Sequence, residues 1–385
     1  MKITAIKPYV MWGETSRPAK ASAAPGGRNW MFVKVETDAG IYGWGEGSLV
    51  NEEPTIAQCV EQLAPQIMGD DAHNIERIWQ KLWLHNRYRG GVIIMSAISA
   101  IDQALWDIKG KALGVPVYQL LGGAVRDRIR VYSHASSPEE AKKRVQEGFN
   151  AIKAGTWHKD MDRGIVESVL PGWLADHVTG LREAVGPDVD IMLDNHGRSR
   201  PALAIKQVRA IDHLNVLFFE EPTPPENQDA LKLIRQAGLQ TEIATGERLL
   251  TRWGYREVIE QQLVDIVQPD ICHCGGISEM RRIAAMAEVY HINMAFHNPK
   301  GPVATAASIH ISAAIPNFLI LEHSKPNSVF EELQVAPIKM EGGYYGLPTA
   351  PGLGVDLRED VIASRPYQYR HVIYSYMADG TPAQP

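Results

Sequence analysis

The chain has few cysteines, no long apolar run and no concentration of basic charge, and each absence excludes a class of protein. Its three cysteines, Cys59, Cys272 and Cys274, cannot build the disulfide framework of a small secreted domain, so we expect a cytoplasmic protein. No apolar segment reaches the roughly 18 residues that a membrane span requires. The net charge is -6 and the 39 basic residues are scattered, which argues against a nucleic-acid-binding surface.

The cysteines leave one metal hypothesis to consider. In the triplet Cys272-His273-Cys274 the two thiols would share one side of a strand. No second pair of ligands follows at the spacing of a zinc site. Because two glycines, Gly275 and Gly276, come next, we interpret the segment as a strand end and its turn.

Length and composition indicate a soluble globular protein of more than one domain. The 385 residues are too many for one ordinary domain and suit a barrel with an additional domain. Apolar content of 45% and charged content of 22% are ordinary for a globular protein. The first residues lack the apolar core of a signal peptide and resemble a strand.

The first third of the chain predicts an α+β domain. Residues 1–50 alternate in the manner of antiparallel strands, and the Gly/Pro/Ala-rich stretch 17–27 interrupts them. Such a loop is either an active-site lid or a disordered segment. Residues 54–121 predict helices, most clearly over Ser96–Lys111, which would stop near Gly114.

From residue 128 onward, short apolar segments alternate with amphipathic helical ones. Eight such strands joined by helices predict a closed parallel (β/α)8 barrel, a modified TIM barrel of the α/β class. The predicted strands are Arg130–His134, Ala151–Ala154, Asp190–Asp194, Val216–Glu220, Ile243–Glu247, Ile266–Asp270, Asn293–His297 and Phe318–Glu322. We therefore expect a capping domain over 1–125, a barrel over 126–325, and a segment over 326–385 that packs back on the capping domain.

Three acidic residues recur once per predicted strand and helix. Asp194, Glu220 and Glu247 are separated by 26 and 27 residues, and each closes an apolar strand. The carboxyl ends of barrel strands converge on one face, where active sites lie. Three carboxylates together would repel one another unless a hard cation bound them, and oxygen ligands favour Mg²⁺ over Zn²⁺. The alternative is three unrelated solvated acids.

Two histidines and two further acids follow other strand ends. His196 shares a side with Asp194, because residues i and i+2 of an extended segment point the same way. Asp270 and His297 end neighbouring strands, where an aspartate could orient the imidazole of a general base; the alternative is a lone loop histidine. Glu322 closes the last strand, either as a hydrogen-bond donor with a raised pKa or as a solvated acid.

These motifs together resemble the enolase superfamily, mandelate racemase branch, and within it the acid-sugar dehydratases of the galactonate type. The resemblance covers essentially the whole chain. The segments that carry it are Ser99–Lys111, Asp194–Arg198, Phe219–Pro222, Gly246–Arg248, Gln268–Asp270 and His297–Pro302.

The resemblance implies a role for each site residue. Asp194, Glu220 and Glu247 map to the metal ligands, and Glu221 does not. The pair Asp270 and His297 maps to the general base and its partner. The resemblance makes His196 the general acid, while Lys153 and Glu322 would stabilise an enediolate oxygen.

One departure from the pattern favours dehydration over racemisation. Racemases of this branch carry Lys-x-Lys at the end of the second strand, whereas this chain has Lys153-Ala154-Gly155. One face of the substrate then lacks a base. Asn195 and Asn298 also replace the residues common in galactonate-type enzymes, and Lys300 lies in the same loop as Asn298. These changes leave the choice of sugar acid open.

The sequence thus predicts a cytoplasmic, homo-oligomeric, Mg²⁺-dependent lyase of sugar-acid catabolism. It would convert an aldonate to a 2-keto-3-deoxy acid through an enediolate, without nucleic-acid or membrane partners. A cycloisomerase or epimerase is the alternative within the superfamily, and a catalytically silent binding barrel is the alternative outside it. Specificity is expected in residues 17–27 and in a second lid near 85–90.

Overall fold

The structure, a computed structural model, covers most of the chain. The described residues are 1–14, 27–85, 87–157, 167–323, 328–370 and 380–381. The predicted 17–27 loop lies outside the described residues except for residue 27. Residue 86 of the predicted lid at 85–90 also lies outside them. The hypothesis that these two segments act as lids therefore stays a prediction.

The amino-terminal part of the molecule is an antiparallel sheet covered by helices. Its strands lie in the order β1-β2-β3. Their bounds are Ile3–Glu14 (β1), Gly27–Thr37 (β2) and Tyr42–Glu46 (β3). The helices are Glu53–Leu63 (α1), Ile75–Leu84 (α2), Val92–Leu113 (α3) and Val117–Leu120 (α4).

Helix α3 lies close against β3 because two glycines of the strand leave room for it. A Cβ atom on Gly45 would lie 1.7 Å from the Ala100 carbonyl oxygen, and one on Gly43 would lie 2.2 Å from that of Ala104. The small residues of the helix and the glycines of the strand thus form one interface. The helix is followed by Gly114 at a φ of 70°, a left-handed conformation that glycine adopts without strain.

Eight parallel strands close into a barrel, which confirms the predicted fold class. The sheet runs in chain order from β4 to β11, and β11 pairs with β4. The strands are Arg128–His134 (β4), Ala151–Gly155 (β5), Asp190–Asp194 (β6), Phe218–Glu220 (β7), Glu242–Thr245 (β8), Ile266–Val267 (β9), Asn293–Phe296 (β10) and Phe318–Glu322 (β11).

Helices connect the barrel strands and form the outer wall. Their bounds are Pro138–Gln146 (α5), Leu170–Val185 (α6), Pro201–Ile211 (α7), Asp229–Arg235 (α8), Thr251–Glu260 (α9), Gly276–Val289 (α10) and Pro302–Ala314 (α11). None of the helices in the described ranges is both long and apolar enough to cross a membrane.

After the barrel the chain returns to the amino-terminal sheet. Its elements are Ser328–Glu332 (α12), Met340–Glu341 (β12), Tyr344–Gly346 (β13) and Glu359–Ser364 (α13). Glu359 accepts hydrogen bonds from Tyr9 at 2.9 Å and from Lys34 at 2.6 Å, and Trp44 Nε1 donates to Asp356 at 2.7 Å. Strand β13 differs from these elements, because it pairs with β4 of the barrel and not with the amino-terminal sheet. The predicted domain boundaries stay predictions.

Eight fully buried side chains, one from each strand, fill the barrel interior. We call this set the apolar layer, and such layers are the usual filling of a closed barrel. Its members are Tyr132, Ala151, Met192, Phe218, Ala244, Ile266, Ala295 and Ile320. A larger core lies between the strands and the surrounding helices, and another lies under the amino-terminal sheet.

Candidate active site

The residues that lie two positions beyond the apolar layer form a second set inside the barrel. Because alternate residues of a strand face the same side, this set points inward at the carboxyl end of the strands. We call it the polar layer. Its members are His134, Lys153, Asp194, Glu220, Gly246, Gln268, His297 and Glu322.

Three carboxylates meet at one side of the polar layer. Asp194 pairs in register with Glu220 across β6 and β7. Glu247 joins them from a turn rather than from a strand, because β8 ends at Thr245 and Gly246 has a φ of 137°. The prediction that this strand continues to Glu247 was therefore wrong. One oxygen of each acid lies within 4.8 Å of the other two.

The electrostatics of this cluster suit a cation. Burial and the Asp194 carboxylate raise the pKa of Glu220 well above its usual range. Oε1 of Glu220 and Oε2 of Glu247 are buried and have no hydrogen-bond partner among the described residues. Among those same residues, no other group of acids, histidines or cysteines brings three ligand atoms together in this way. The donor set, all carboxylate oxygen, fits a hard divalent ion.

Lys153 supplies positive charge on one side of the cluster. Its Nζ lies 2.9 Å from Glu220 Oε2, 3.1 Å from Asp194 Oδ2 and 3.6 Å from Glu322 Oε1. Burial opposes the charge, but the neighbouring carboxylates raise the pKa of Lys153 well above its usual range. The same amine helps to hold the pKa of Asp194 low despite the burial of that acid.

His297 and Asp270 form a close pair beside the cluster. The imidazole Nδ1 lies 2.7 Å from Asp270 Oδ2, and Nε2 lies 3.3 Å from Glu247 Oε2. Burial alone would lower the pKa of His297, but Glu247 and the bond to Asp270 raise it to about 9. With Nδ1 donating to Asp270, Nε2 is the nitrogen directed at the carboxylates.

His196 contacts a different acid of the cluster and is half-exposed. Its Nε2 lies 3.2 Å from Asp194 Oδ2, and its backbone N–H donates to Asp194 Oδ1 at 3.1 Å. The residue has a φ of 50°, a left-handed conformation that is strained for a side chain other than glycine. Desolvation lowers the pKa of His196, although the imidazole stays half-exposed.

Glu322 is neither a solvated acid nor a carboxylic acid with a raised pKa. The side chain is buried, and its Oε1 lies 2.6 Å from His134 Nε2. Oε2 accepts a hydrogen bond from the Asn298 N–H at 3.0 Å. Burial opposes the charge, but Lys153 and the bond to His134 hold the pKa of Glu322 well below its usual range. Both alternatives drawn from the sequence were therefore wrong, and Glu322 is a hydrogen-bond acceptor.

Glu221 lies next to Glu220 but faces a different partner. Its two oxygens accept bonds of 2.8 Å from Nε and Nη2 of Arg248. Its φ of 43° is a left-handed conformation, which is strained for a side chain other than glycine. Burial and the nearby Glu247 raise the pKa of Glu221 to about 7 in spite of Arg248.

The two asparagines that depart from the galactonate pattern serve as hydrogen-bond bridges in the barrel wall. Asn195 accepts from the Thr156 hydroxyl at 2.8 Å and donates to the Pro222 carbonyl at 3.0 Å. Asn298 donates to the Thr305 hydroxyl and to the Glu322 carbonyl, each at 3.1 Å. Both side chains are fully buried, so they act on the backbone that carries the site.

The triplet Cys272-His273-Cys274 forms a turn, as the sequence interpretation favoured. Both cysteines are buried and free. The imidazole of His273 contacts Ser96 Oγ and Lys300 Nζ, each at 2.8 Å. The triplet therefore belongs to a hydrogen-bond network.

The sequence interpretation missed two members of the polar layer. His134 is half-exposed and contacts Glu322, and Gln268 is fully buried. Neither amide atom of Gln268 has a hydrogen-bond partner within the described part of the chain. The alternation of Tyr132 with His134, and of Ile266 with Gln268, could have revealed both, since it is the same spacing that links Met192 to Asp194.

A closed barrel that combines clustered carboxylates with a carboxylate-supported histidine at its strand ends defines a barrel enzyme of the enolase kind. Two family comparisons agree. Residues 8–122 match the mandelate racemase/muconate lactonizing enzyme N-terminal domain, and residues 137–361 match the enolase C-terminal domain-like family. The chain belongs to the mandelate racemase/muconate lactonizing enzyme family of the enolase superfamily.

Curated relatives resemble the chain over nearly its whole length. A protein of Ralstonia nicotianae named D-galactonate dehydratase is 40% identical over 372 residues, which cover 92% of this chain and 96% of that protein. The D-galactonate dehydratase of Pectobacterium atrosepticum is 38% identical over 373 residues, with the same coverage of each chain. These relatives confirm the prediction of an enzyme of the dehydratase class, a lyase.

Solved structures share the fold in detail. An enolase from Agrobacterium radiobacter, with bound Na and L-malate, is 34% identical and superimposes with a TM-score of 0.91 over 100% of both chains. The 3,6-anhydro-D-galactonate cycloisomerase of Zobellia galactanivorans is 31% identical, with a TM-score of 0.84 over 96% of this chain and 100% of that one.

Proposed function

We propose that this enzyme dehydrates a sugar acid, an aldonate or a close relative, to a 2-keto-3-deoxy acid in a Mg²⁺-dependent reaction. One observation carries the proposal: two histidines contact two different acids of the cluster. His196 lies 3.2 Å from Asp194, and His297 lies 3.3 Å from Glu247. Dehydration requires a base at the α-carbon and an acid at the leaving hydroxyl, so it needs two such groups.

The acid cluster would hold the metal. Asp194, Glu220 and Glu247 are the expected ligands of Mg²⁺, which supplies positive charge as a Lewis acid next to the substrate carboxylate. The Agrobacterium radiobacter enolase of the same fold carries Na and L-malate, and malate is a 2-hydroxy acid. A ligand of that chemistry is what this cluster would take.

His297 is the proposed base. Its Nδ1 donates to Asp270, so Nε2 is the nitrogen that would take the α-proton. The raised pKa keeps Nε2 protonated while Glu247 is unneutralised, and positive charge bound at Glu247 would lower that pKa and leave the lone pair available. The proton leaves its electron pair on the substrate, which becomes an enediolate. Lys153 lies beside the carboxylates and keeps its charge, so it would stabilise the enediolate oxygen. Glu322 would act indirectly, by accepting hydrogen bonds that hold its neighbours in the polar layer.

His196 is the proposed acid. Its imidazole must be protonated to act, and its lowered pKa places that form on the acidic side of the usual histidine range. It would then give a proton to the 3-hydroxyl as the bond from carbon to oxygen breaks, and water leaves. The electron pair of the enediolate forms the new double bond, and the resulting enol becomes a 2-keto-3-deoxy acid. The two histidines need opposite protonation states, so the pH–rate profile should be bell-shaped.

Gly155 supports dehydration rather than racemisation. It ends β5 two residues beyond Lys153, where racemases of this branch carry a second lysine, and a Cβ atom there would meet no described atom within 4 Å. We expect the enzyme to dehydrate one C2 epimer of its substrate and to leave the other. Incubating one purified epimer in deuterated buffer tests this, and the opposite epimer appearing as fast as the dehydration product would contradict it.

The direct test is a screen of sugar acids for 2-keto-3-deoxy products with Mg²⁺ present. D-Galactonate is the first substrate to try, because the curated relatives are named for it. A product from any aldonate, lost on chelation of the metal, is the expected result. Metal binding without turnover or α-proton exchange for any sugar acid would instead favour a silent barrel. Cytoplasmic location and homo-oligomeric assembly also stay predictions.

A cycloisomerase is the second candidate, because the Zobellia galactanivorans enzyme with that activity shares 31% identity and the whole fold. Cycloisomerisation of an anhydro sugar acid conserves mass, whereas dehydration removes one water. Mass spectrometry of the products from both kinds of acid therefore distinguishes the two reactions.

A further inference from the structure

The loop that follows the proposed base is held by the amino-terminal domain. We call residues 297–301 the base loop. A guanidinium nitrogen of Arg28 donates to the Pro299 carbonyl. Oε1 of Glu46 accepts the Gly301 N–H at 2.7 Å. Both partners come from the amino-terminal sheet, so that sheet holds the base loop at two points.

Lys300 makes a third and different connection. Its buried Nζ donates to the Ser48 carbonyl at 2.9 Å and to His273 Nε2 at 2.8 Å. The same amine lies 3.1 Å from Asp270 Oδ2. That carboxylate oxygen is also the one that lies 2.7 Å from His297 Nδ1. Lys300 thus contacts the amino-terminal domain and the proposed catalytic pair at once.

The direction of each hydrogen bond in this network can be assigned. Ser96 Oγ donates its single proton to the Val92 carbonyl at 2.7 Å. The contact of 2.8 Å with His273 Nδ1 therefore has the imidazole as donor, which leaves Nε2 to accept from Lys300. Burial lowers the pKa of His273 to about 3, in agreement with a neutral ring. Helix α3 is thereby connected to Lys300.

Asp270 depends on Lys300 for part of its orientation. Its Oδ1 accepts the Cys272 N–H at 2.8 Å, and its Oδ2 is shared by Lys300 and His297. A buried ion pair is weak evidence for stability, because an apolar pair of similar volume is often as stable. The buried amine next to Asp270 therefore calls for a functional explanation.

We propose that Lys300 is a positioning residue that fixes Asp270, and through it His297, to the amino-terminal domain. The packing of that domain on the barrel would then determine the orientation of the base. This inference rests on the proposed role of His297. It assigns a function to a residue of the base loop that does not contact the acid cluster in any described interaction.

The test compares Lys300→Met with Arg28→Met. The first variant removes the contact to Asp270, while the second removes another connection between the same domain and the same loop. For Lys300→Met we expect kcat to fall roughly 10- to 100-fold with KM unchanged, the usual effect of losing an orienting partner. Arg28→Met should retain nearly all of kcat, and Lys300→Arg should restore part of what Lys300→Met loses.

A spectroscopic readout makes the test independent of turnover. The Nδ1 proton between His297 and Asp270 should give a downfield ¹H resonance, assigned by its loss in His297→Asn. Lys300→Met should shift or broaden this resonance, and Arg28→Met should not. If the wild-type enzyme dehydrates no sugar acid yet the resonance responds in this way, the proposed function fails and the positioning role stands.

Two outcomes would overturn the proposal. One is an unchanged resonance and unchanged kcat in Lys300→Met; the other is an equal loss of kcat in Lys300→Met and Arg28→Met. If Lys300→Met does not fold, His273→Leu serves instead, because it removes the acceptor of Lys300 without changing charge. We then expect a smaller shift of the same resonance. A resonance that does not move would contradict the role of Lys300.

Discussion

The apolar layer comes from the eight barrel strands, and the polar layer lies two residues further along, at or just beyond the ends of those strands, yet the physical character of the two layers is opposite. Every member of the apolar layer is fully buried in a single apolar cluster. The polar layer contains a buried lysine, three carboxylates and two histidines, which are linked by ion-pair contacts of 2.6 to 4.0 Å. Alternation along a strand allows this, because positions i and i+2 share a side while the layers differ in depth.

This difference indicates that the apolar layer mainly stabilises the barrel, whereas the polar layer mainly serves its proposed chemistry. The apolar layer contributes burial, which stabilises the fold at about 25 cal/mol per Å². In the polar layer, burial and like charges raise the pKa of Glu220, and the adjoining loops contain strained residues at His196 and Glu221. Strain and repulsion of this kind are typical of active sites. Changes to the two layers should therefore affect different measurements.

The largest expected effect is on the polar side. Glu247→Gln should remove Mg²⁺ dependence and lower turnover on the order of 10³-fold or more, because Lewis-acid stabilisation is worth several kcal/mol. Its free energy of unfolding should not fall, since one like charge leaves the cluster. Glu221→Gln is the matched control, because its carboxylate contacts Arg248. Equal losses of turnover and metal dependence in both variants would contradict the ligand assignment.

A substitution in the apolar layer should lower stability more than turnover. Phe218→Ala should lower the free energy of unfolding by about 3–5 kcal/mol, the usual cost of deleting a buried phenyl ring. Turnover per folded molecule should change much less. Glu220→Gln, two residues further along β7, should give the reverse pattern. Urea unfolding and kcat should be measured on both variants. If the two variants lose stability and kcat to the same extent, the separation of the two layers is contradicted.

The smallest expected effect concerns histidines outside both layers. Burial lowers the pKa of His310 to about 4, whereas His297 in the polar layer has a raised one. The folded state therefore holds His310 neutral, and the unfolded state binds a proton below pH 6.5. The stability contribution of His310 is complete above pH 6.5 and is lost as pH falls to about 4, by roughly 1–3 kcal/mol.

The measurement for His310 is urea unfolding at pH 7 and pH 5. His310→Asn should reduce the loss of stability between the two values, because the titrating group is gone. The exposed His291 offers the control, since His291→Asn should leave the difference unchanged. An identical pH dependence in wild type and His310→Asn would show that this histidine does not contribute.

Much of the barrel could be predicted from local pattern. Asp194 and Glu220 close apolar runs that are strands in the structure, so their positions followed from strand alternation. The pairing of Asp270 with His297 followed because both residues come shortly after neighbouring strands, where an isolated bridge joins them. Each of these inferences needed only the order of the strands and the spacing along them.

What the sequence could not predict depends on distant contacts. The ionised state of Glu322 follows from Lys153 and His134, and His134 lies 188 residues away in sequence. The contact of Lys300 with Ser48 spans 252 residues. The position of Glu247 in a turn follows from the backbone conformation at Gly246. No local pattern encodes the distances among such groups.

The central claim is that His297 removes the α-proton and His196 expels the hydroxyl. The most direct test measures exchange of the substrate α-proton in deuterated buffer with Mg²⁺ for His297→Asn and His196→Asn. We predict that His297→Asn loses both exchange and dehydration, each by about 10²–10⁴. His196→Asn should lose dehydration but retain exchange, because the enediolate still forms. Equal exchange in the two variants would contradict the division of roles.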